Sequence, residues 1–411
     1  MTKNQIVLTT FLKREFPELL KKKHVLRPSK KSGSVLGKLY DLILKADNSF
    51  HSNQKNIQGE SIVLTPKNEY LHLDTFIPIE IAEKIKASDR FQQTFKIFHN
   101  GDKYNIKFVY PIVEVSETKS RIQGFFQDAI YKIYLWLYVA DKYASKHCSS
   151  TMNLHFYFTD HMKRLGSVDL QALDMIHVNT AFTTSCSNET DIYLFRREEW
   201  FKVFIHETFH NLGFDFSEMN CIDINKKLNM IFPLNNDFKV YESYCETWAE
   251  TIHILFLLFF KGYDKSNAIS KFETILQYET VYSLFQCVKM LNHYKIKYNQ
   301  LTNKTCSISK RAREKYIEKS PVFSYYVIKT IFLLSWNDFM EWCLNSNQNL
   351  LQFNKTPSTR TQLSFVDLIS ELYKSDRVLS NIQAMENWFK INKQGNHDPY
   401  IMRNMRMTLH G

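Results

Sequence analysis

The sequence predicts an α+β protein. A mixed sheet and a motif-bearing helix form its centre, with an α+β accessory domain before them and a helical part after them. Three observations carry this. Short β-type runs fall between Ser61 and Ile112, and Phe95–Phe98 and Tyr104–Val109 alternate about the turn-prone His99-Asn100-Gly101-Asp102, a hairpin signal. Residues 121–214 then read as helix, three strands and a second helix, and the chain after residue 260 is almost wholly helical in period. The expected boundaries are 1–115, 116–260 and 261–411.

Taken in order, residues 1–50 read as short helices joined by a basic loop, Leu26 to Ser34. Ser61–Thr65, Tyr70–Leu73 and the hairpin give the accessory strands. Arg121–Ser145 is a long helical pattern, followed by strand candidates at Asn153–Phe158, His177–Thr184 and Asp191–Phe195. Helices are expected at Trp200–Phe214, 241–260, Lys271–His293 and Val322–Cys343, and Met402–Met407 reads as a basic tail.

Composition is that of a globular chain: 44% hydrophobic and 15% aromatic in 411 residues. The net charge of +11 comes from dispersed lysines, with one cluster at Lys21-Lys22-Lys23, Arg27, Lys30 and Lys31. That favours a solvated surface. Nucleic acid stays open as a partner, with no motif to support it. The seven cysteines are scattered without a C-x-x-C pair, which predicts free thiols and an intracellular, reducing compartment. No signal peptide opens the chain. Its longest apolar run, Ile252–Phe260, is too short to span a bilayer, so no membrane partner is expected.

The chemistry sits between Trp200 and Phe214. Apolar residues at Trp200, Phe201, Phe204, Ile205, Phe209 and Leu212 keep a helical stripe, and Gly213 is a natural stop. Within it lies His206-Glu207-Thr208-Phe209-His210, an H-E-x-x-H motif. Residues four apart stack on one helix face roughly 6 Å apart, so both imidazoles can reach one ion, with Glu207 beside them as a base. A catalytic zinc takes three protein ligands and leaves a position for water. The third is expected from Tyr241–Glu250, where Glu242, Glu246 and Glu250 share a face that His253 continues. An acidic, solvent-facing stripe would produce the same spacing, but Trp248, Ala249, Ile252, Leu255 and Leu258 mark this helix as buried.

Glu246-x-x-Ala249-Glu250 resembles the glutamate helix of the gluzincin peptidases. That resemblance implies a zincin-like catalytic domain with Zn2+ held by His206, His210 and Glu246. It also implies that Glu250 orients one of the histidines. Glu242, on the same face of the helix, is the fallback ligand. A metzincin reading fits Gly213 and a Met-turn at Met230–Pro233, but puts Phe216, which cannot bind metal, at the last ligand position. More broadly, residues 120–340 look similar to predicted metallopeptidases of nucleocytoplasmic large DNA viruses. The likeness rests on His177–Cys186, Phe195–His210 and Tyr241–Glu250, with Val322–Lys329 as a further stretch. It implies a viral setting, in host cytoplasm or virion.

The expected activity is hydrolysis of a protein or peptide substrate by a metal-activated water, with Glu207 as general base. Tyr325, Tyr326 and His293 are candidate oxyanion donors. The strand at 177–184 is a candidate edge for pairing with an extended peptide. The competing class is a non-catalytic virion or scaffold protein with a structural metal, possibly nucleic-acid associated. Glu207 argues against it, because a structural site needs no base beside its ligands.

Overall fold

The computed structural model describes residues 2–21, 26–69, 72–73, 77–113, 117–166, 172–234, 236–356, 358–392 and 397–411. In chain order the helices are α1 (Lys3–Glu15), α2 (Pro17–Lys21), α3 (Lys30–Ser52), α4 (Ile79–Ala87), α5 (Lys119–Asp141), α6 (Met175–Val178), α7 (Trp200–Asn211) and α8 (Ile222–Ile231). They continue with α9 (Tyr241–Phe260), α10 (Lys265–His293), α11 (Ser307–Arg313), α12 (Lys329–Leu334), α13 (Trp336–Ser346), α14 (Ser358–Leu372), α15 (Asp376–Ile391) and α16 (Pro399–Arg403). The strands are β1 (Ile57–Gly59), β2 (Val63–Thr65), β3 (Arg90–His99), β4 (Asp102–Pro111), β5 (Thr151–Tyr157), β6 (Ala181–Thr183) and β7 (Glu189–Leu194). Helix takes 58% of residues and strand 12%, with a mixed sheet, so the α+β class holds.

Two compact units make up the chain, and neither is consecutive. Met1–Leu36, Lys163–Val178 and Phe216–His410 form a helical unit, while Gly37–Met162 and Asn179–Asp215, with Gly411, form a unit built on the sheet. The expected boundaries at 115 and 260 do not describe this partition, since the segments 1–115 and 116–260 are each divided between the units. The cause lies in where the first helices bury their apolar faces. Phe11 of α1 packs edge-on against Phe285 of α10 at 5.1 Å, Phe16 lies 5.2 Å from Trp388 of α15, and Gln277 donates to the Leu19 carbonyl at 2.7 Å.

In the sheet unit the strand order is β1-β3-β4-β5-β7-β6, with β2 also pairing β3. The hairpin β3–β4 forms as expected, its turn made by Asn100 and Gly101, both at positive φ. Beyond it β4, β5 and β7 run parallel, and the short β6 returns antiparallel on β7 as the outer strand of that side. The β4-to-β5 connection passes through α5, as a parallel pair requires a crossover. Phe108, Phe126 and Phe156 form the core between sheet and helix, with Phe126 5.1 Å and Phe156 5.4 Å from Phe108.

Four local readings change. Residues 30–34 are helical, because Ser29 caps α3 by accepting from the Ser32 amide at 3.1 Å. His177 lies in α6, not in a strand, because Asp174 accepts from the Met175 amide and the His177 ring bonds the Asp174 amide. The strand expected at Tyr70–Leu73 falls partly outside the described residues, and His72 and Leu73 have no regular structure. The helix expected over 322–343 is broken into a π-helical turn, Phe323–Ile328, then α12 and α13.

The helical unit is held by α9, α10 and α12. Trp336 donates its indole N–H to Thr251 of α9 at 3.0 Å, and Ser283 of α10 bonds Thr330 of α12 at 2.8 Å. No helix among the described residues is long and apolar enough to cross a membrane.

Candidate metal centre

Helix α7 is buried along its whole length. Phe204 packs on Phe156 of β5 at 5.6 Å, and Trp200 meets Phe156 and Phe158 edge-on. From α5, Trp136 stacks parallel to Phe209 and donates its indole N–H to the Thr208 hydroxyl at 2.7 Å. The last residue, Asn211, gives its amide to the Thr183 hydroxyl and the Thr184 carbonyl beside β6. These contacts fix the rotation of α7, and so the direction of its histidines.

The helix ends where expected and in a way that matters. Gly213 takes φ +68°, the Phe214 amide returns to the Phe209 carbonyl at 2.9 Å, and the two phenyl rings touch at 5.0 Å. This is a Schellman stop with its hydrophobic contact. A side chain at 213 would collide with Cys148 Sγ at 2.9 Å. The turn brings Asp215 back against the helix, where its carboxylate lies 2.7 Å from His210 Nδ1 and is 1% exposed.

That bond decides what the two histidines can do. With Nδ1 of His210 donating to Asp215, Nε2 is left with its lone pair outward, the tautomer a metal needs. His210 Nε2 and His206 Nε2 face each other at 3.4 Å. Two ligands at ~2.0–2.1 Å from a tetrahedral zinc stand roughly 3.3–3.4 Å apart, so the pair is spaced for one ion. Glu207 lies between them in sequence and is buried with them. Histidine, glutamate and cysteine groups that could bind a metal ion are thus present and buried among the described residues.

Asp215 went unrecognised as a histidine partner in the sequence. The signal was there: an acid two residues after a helix-stopping glycine. The role expected of Glu250 toward a motif histidine is one that Asp215 fills for His210.

The acidic face of α9 is buried, so the solvent-facing reading is excluded for Glu242, Glu246 and Glu250. Within the helical unit, Glu246 and Glu250 converge on one cation, Lys329 of α12. Its ammonium lies 3.0 Å from Glu246 Oε2 and 2.9 Å from Glu250 Oε2, and also donates to the Met407 carbonyl at 2.7 Å. Burial alone would lower the Lys329 pKa. The two carboxylates outweigh it and hold the pKa above the ordinary lysine value. The second oxygen of Glu250 accepts from the Thr408 hydroxyl at 3.0 Å. Glu242 stands on the first turn of α9 and is buried. His253, on the same helix, is buried as well.

Of the candidate oxyanion donors, Tyr326 already gives its hydroxyl to the Met405 carbonyl at 2.6 Å. Tyr325 lies one residue earlier in the π-helical turn, and His293 ends α10, both buried.

The expectation of seven free thiols is corrected at one pair. Cys148 and Cys186 form a disulfide, with Cα atoms 4.9 Å apart, while Cys221, Cys245, Cys287, Cys306 and Cys343 are free. A separation of 38 residues gave no sign of it. His147 with Cys148 and Cys186 would otherwise be a metal-binding set, but the bridge leaves no thiolate to coordinate. Comparison with family models, curated proteins and solved structures finds no match to this chain.

Proposed function

We propose that this protein is a zinc-dependent peptidase with a zincin-like catalytic centre on α7. The observation that carries the reading is the pair of imidazole Nε2 atoms 3.4 Å apart, one ring oriented by a buried carboxylate. The proposed ligands are His206, His210 and Glu242, each of them buried and of a donor type suited to zinc. Glu242 is preferred to Glu246 as the third ligand because Glu246 already shares the Lys329 ammonium with Glu250. A carboxylate engaged by a buried cation has less charge to offer a second one.

Bound there, a divalent zinc would lower the pKa of a coordinated water and polarise the scissile carbonyl. Glu207 is the base that takes the proton from the attacking water and returns it to the departing amine. Asp215 fixes the His210 tautomer. Tyr325, Tyr326 and His293 are the proposed oxyanion donors, of which Tyr326 would have to release the Met405 carbonyl. The substrate is an extended protein or peptide segment, which the outer strand β6 suits.

The test is metal content by mass spectrometry beside cleavage of a peptide library. Wild type should carry about one zinc and cleave. His206→Ala and Glu242→Gln should lose metal, Glu246→Gln should keep it, and Glu207→Gln should keep it while losing cleavage by at least about a hundredfold. Metal loss in Glu246→Gln with retention in Glu242→Gln would restore Glu246 as the ligand. Stable zinc with no cleavage of any peptide would favour the non-catalytic scaffold.

A further inference from the structure

The stretch after α16, Asn404–His410, which overlaps the basic tail read from sequence at Met402–Met407, is buried in the helical unit apart from a partly exposed His410. Met405, Thr408 and Leu409 are fully enclosed. It belongs to no helix or strand. Its regular pairing is one isolated bridge, Asn404 to Arg164, with the Met405 amide bonding the Lys163 carbonyl. Several of its other main-chain groups are held by side chains. Lys289 donates to the carbonyls of Ile401 and Asn404, Gln286 to that of Arg406 at 2.6 Å, and Lys329 to that of Met407. At the far end, Glu279 accepts from the amides of Leu409 at 2.7 Å and His410 at 3.1 Å, and from the His410 ring at 2.6 Å.

A core segment is ordinarily held by apolar contact and by backbone ladders. Here α10 and α12 contribute two ammoniums and a carboxylate, all nearly fully buried. Burying such groups is costly unless something supplies partners. For Lys289 the partners given by the structure are two peptide carbonyls, and burial holds its pKa well below the ordinary lysine value. Main-chain carbonyls and amides are what any extended peptide offers. Side-chain polar recognition comes from Asn404, whose Oδ1 accepts from the Tyr282 hydroxyl and the Gln286 amide, from Thr408 through Glu250, and from His410 through Glu279.

We infer that α9, α10 and α12 form a peptide-binding trench, and that residues 404–410 are its tethered occupant. The ligand class is an extended peptide held largely by its backbone, with a side-chain amide at the place of Asn404, buried apolar side chains at the places of Met405 and Leu409, and a hydroxyl two residues before an imidazole. The trench stands independently of the metal centre and of any cleavage.

The experiment uses the full chain carrying Thr408→Val and His410→Ala, which loosen the occupant and leave the trench intact. The probe is a fluorescein-labelled synthetic peptide spanning residues 402–411. Hydrogen exchange at the 409 and 410 amides should rise at least tenfold. Fluorescence anisotropy should show the probe binding at least tenfold more tightly than to wild type, and adding Glu279→Gln should remove that gain. A probe N-methylated at the two amides that meet Glu279 should bind at least tenfold more weakly. Amides that stay protected, loosened amides without probe binding, or equal binding of the methylated probe would each overturn the trench and leave the segment an ordinary part of the core.

Discussion

At the scale of single residues, His210 and Asp215 are the pair on which the centre turns. The carboxylate behind a ligating imidazole fixes its tautomer and raises its basicity, and losing such a partner typically weakens metal binding about 10–100-fold. Asp215→Asn is therefore expected to lower zinc affinity by that factor, read by competition with a chromophoric chelator, with the fold retained in circular dichroism. Unchanged affinity would show that the His210 ring is held by other means. The His-Glu-x-x-His spacing was legible because helical geometry is local and needs no tertiary information. Asp215 was harder to read: its contact depends on the chain reversing at Gly213, and spacing rules apply within the helix and stop there. Lys329 was harder still. Nothing local to an apolar run ending in lysine says which carboxylates it will meet.

At the scale of elements, α9 and α12 are locked by Lys329 between Glu246 and Glu250. Breaking a buried ion pair by removing one partner leaves uncompensated charge and costs about 3–5 kcal/mol. Lys329→Met is expected to lower unfolding stability by that amount in urea titration. Adding Glu246→Gln and Glu250→Gln should recover a large part of it, and failure to recover would mean that the loss comes from packing. Helices α5, α7, α9 and α10 and the β3–β4 hairpin were readable because long periodic patterns and an Asn-Gly turn are strong local signals. The break at 323–328 was not, since a π-helical turn keeps the apolar composition of the helix it interrupts. Nor was α6, which four residues and an aspartate cap make out of a sequence with strand character.

Two expectations belong to the whole molecule. Glu279 would be raised by burial, but the His410 ring and the Leu409 amide bring its pKa down from 4.5 to about 2. A carboxyl lowered on folding adds stability that is complete above about pH 4.5 and is lost as pH falls toward about 2. The stability gap between wild type and Glu279→Gln should thus be widest near neutrality and close at acid pH, as read from urea midpoints at a series of pH values. A gap that is flat with pH would show that the carboxylate's charge is not what holds the tail. The Cys148–Cys186 bridge closes a 38-residue loop, and chain entropy assigns such a closure about 4 kcal/mol. Dithiothreitol is expected to lower the denaturation midpoint accordingly, and the Cys148→Ser variant should be insensitive to it.

The interleaving of the two units bears on how the chain is made. On a ribosome, the sheet unit's strands and α7 have all emerged by residue 215 and can close around their phenylalanine core while synthesis continues. Helices α1 and α2 have no such opportunity. Their partners arrive with α10 and α15, and Trp388 reaches back 373 positions to donate to Glu15. Until then their apolar faces are open to chaperones or to other nascent chains. Slow maturation and low recovery from rapid expression should therefore trace to the first twenty residues, long before they trace to the helix that carries His206 and His210.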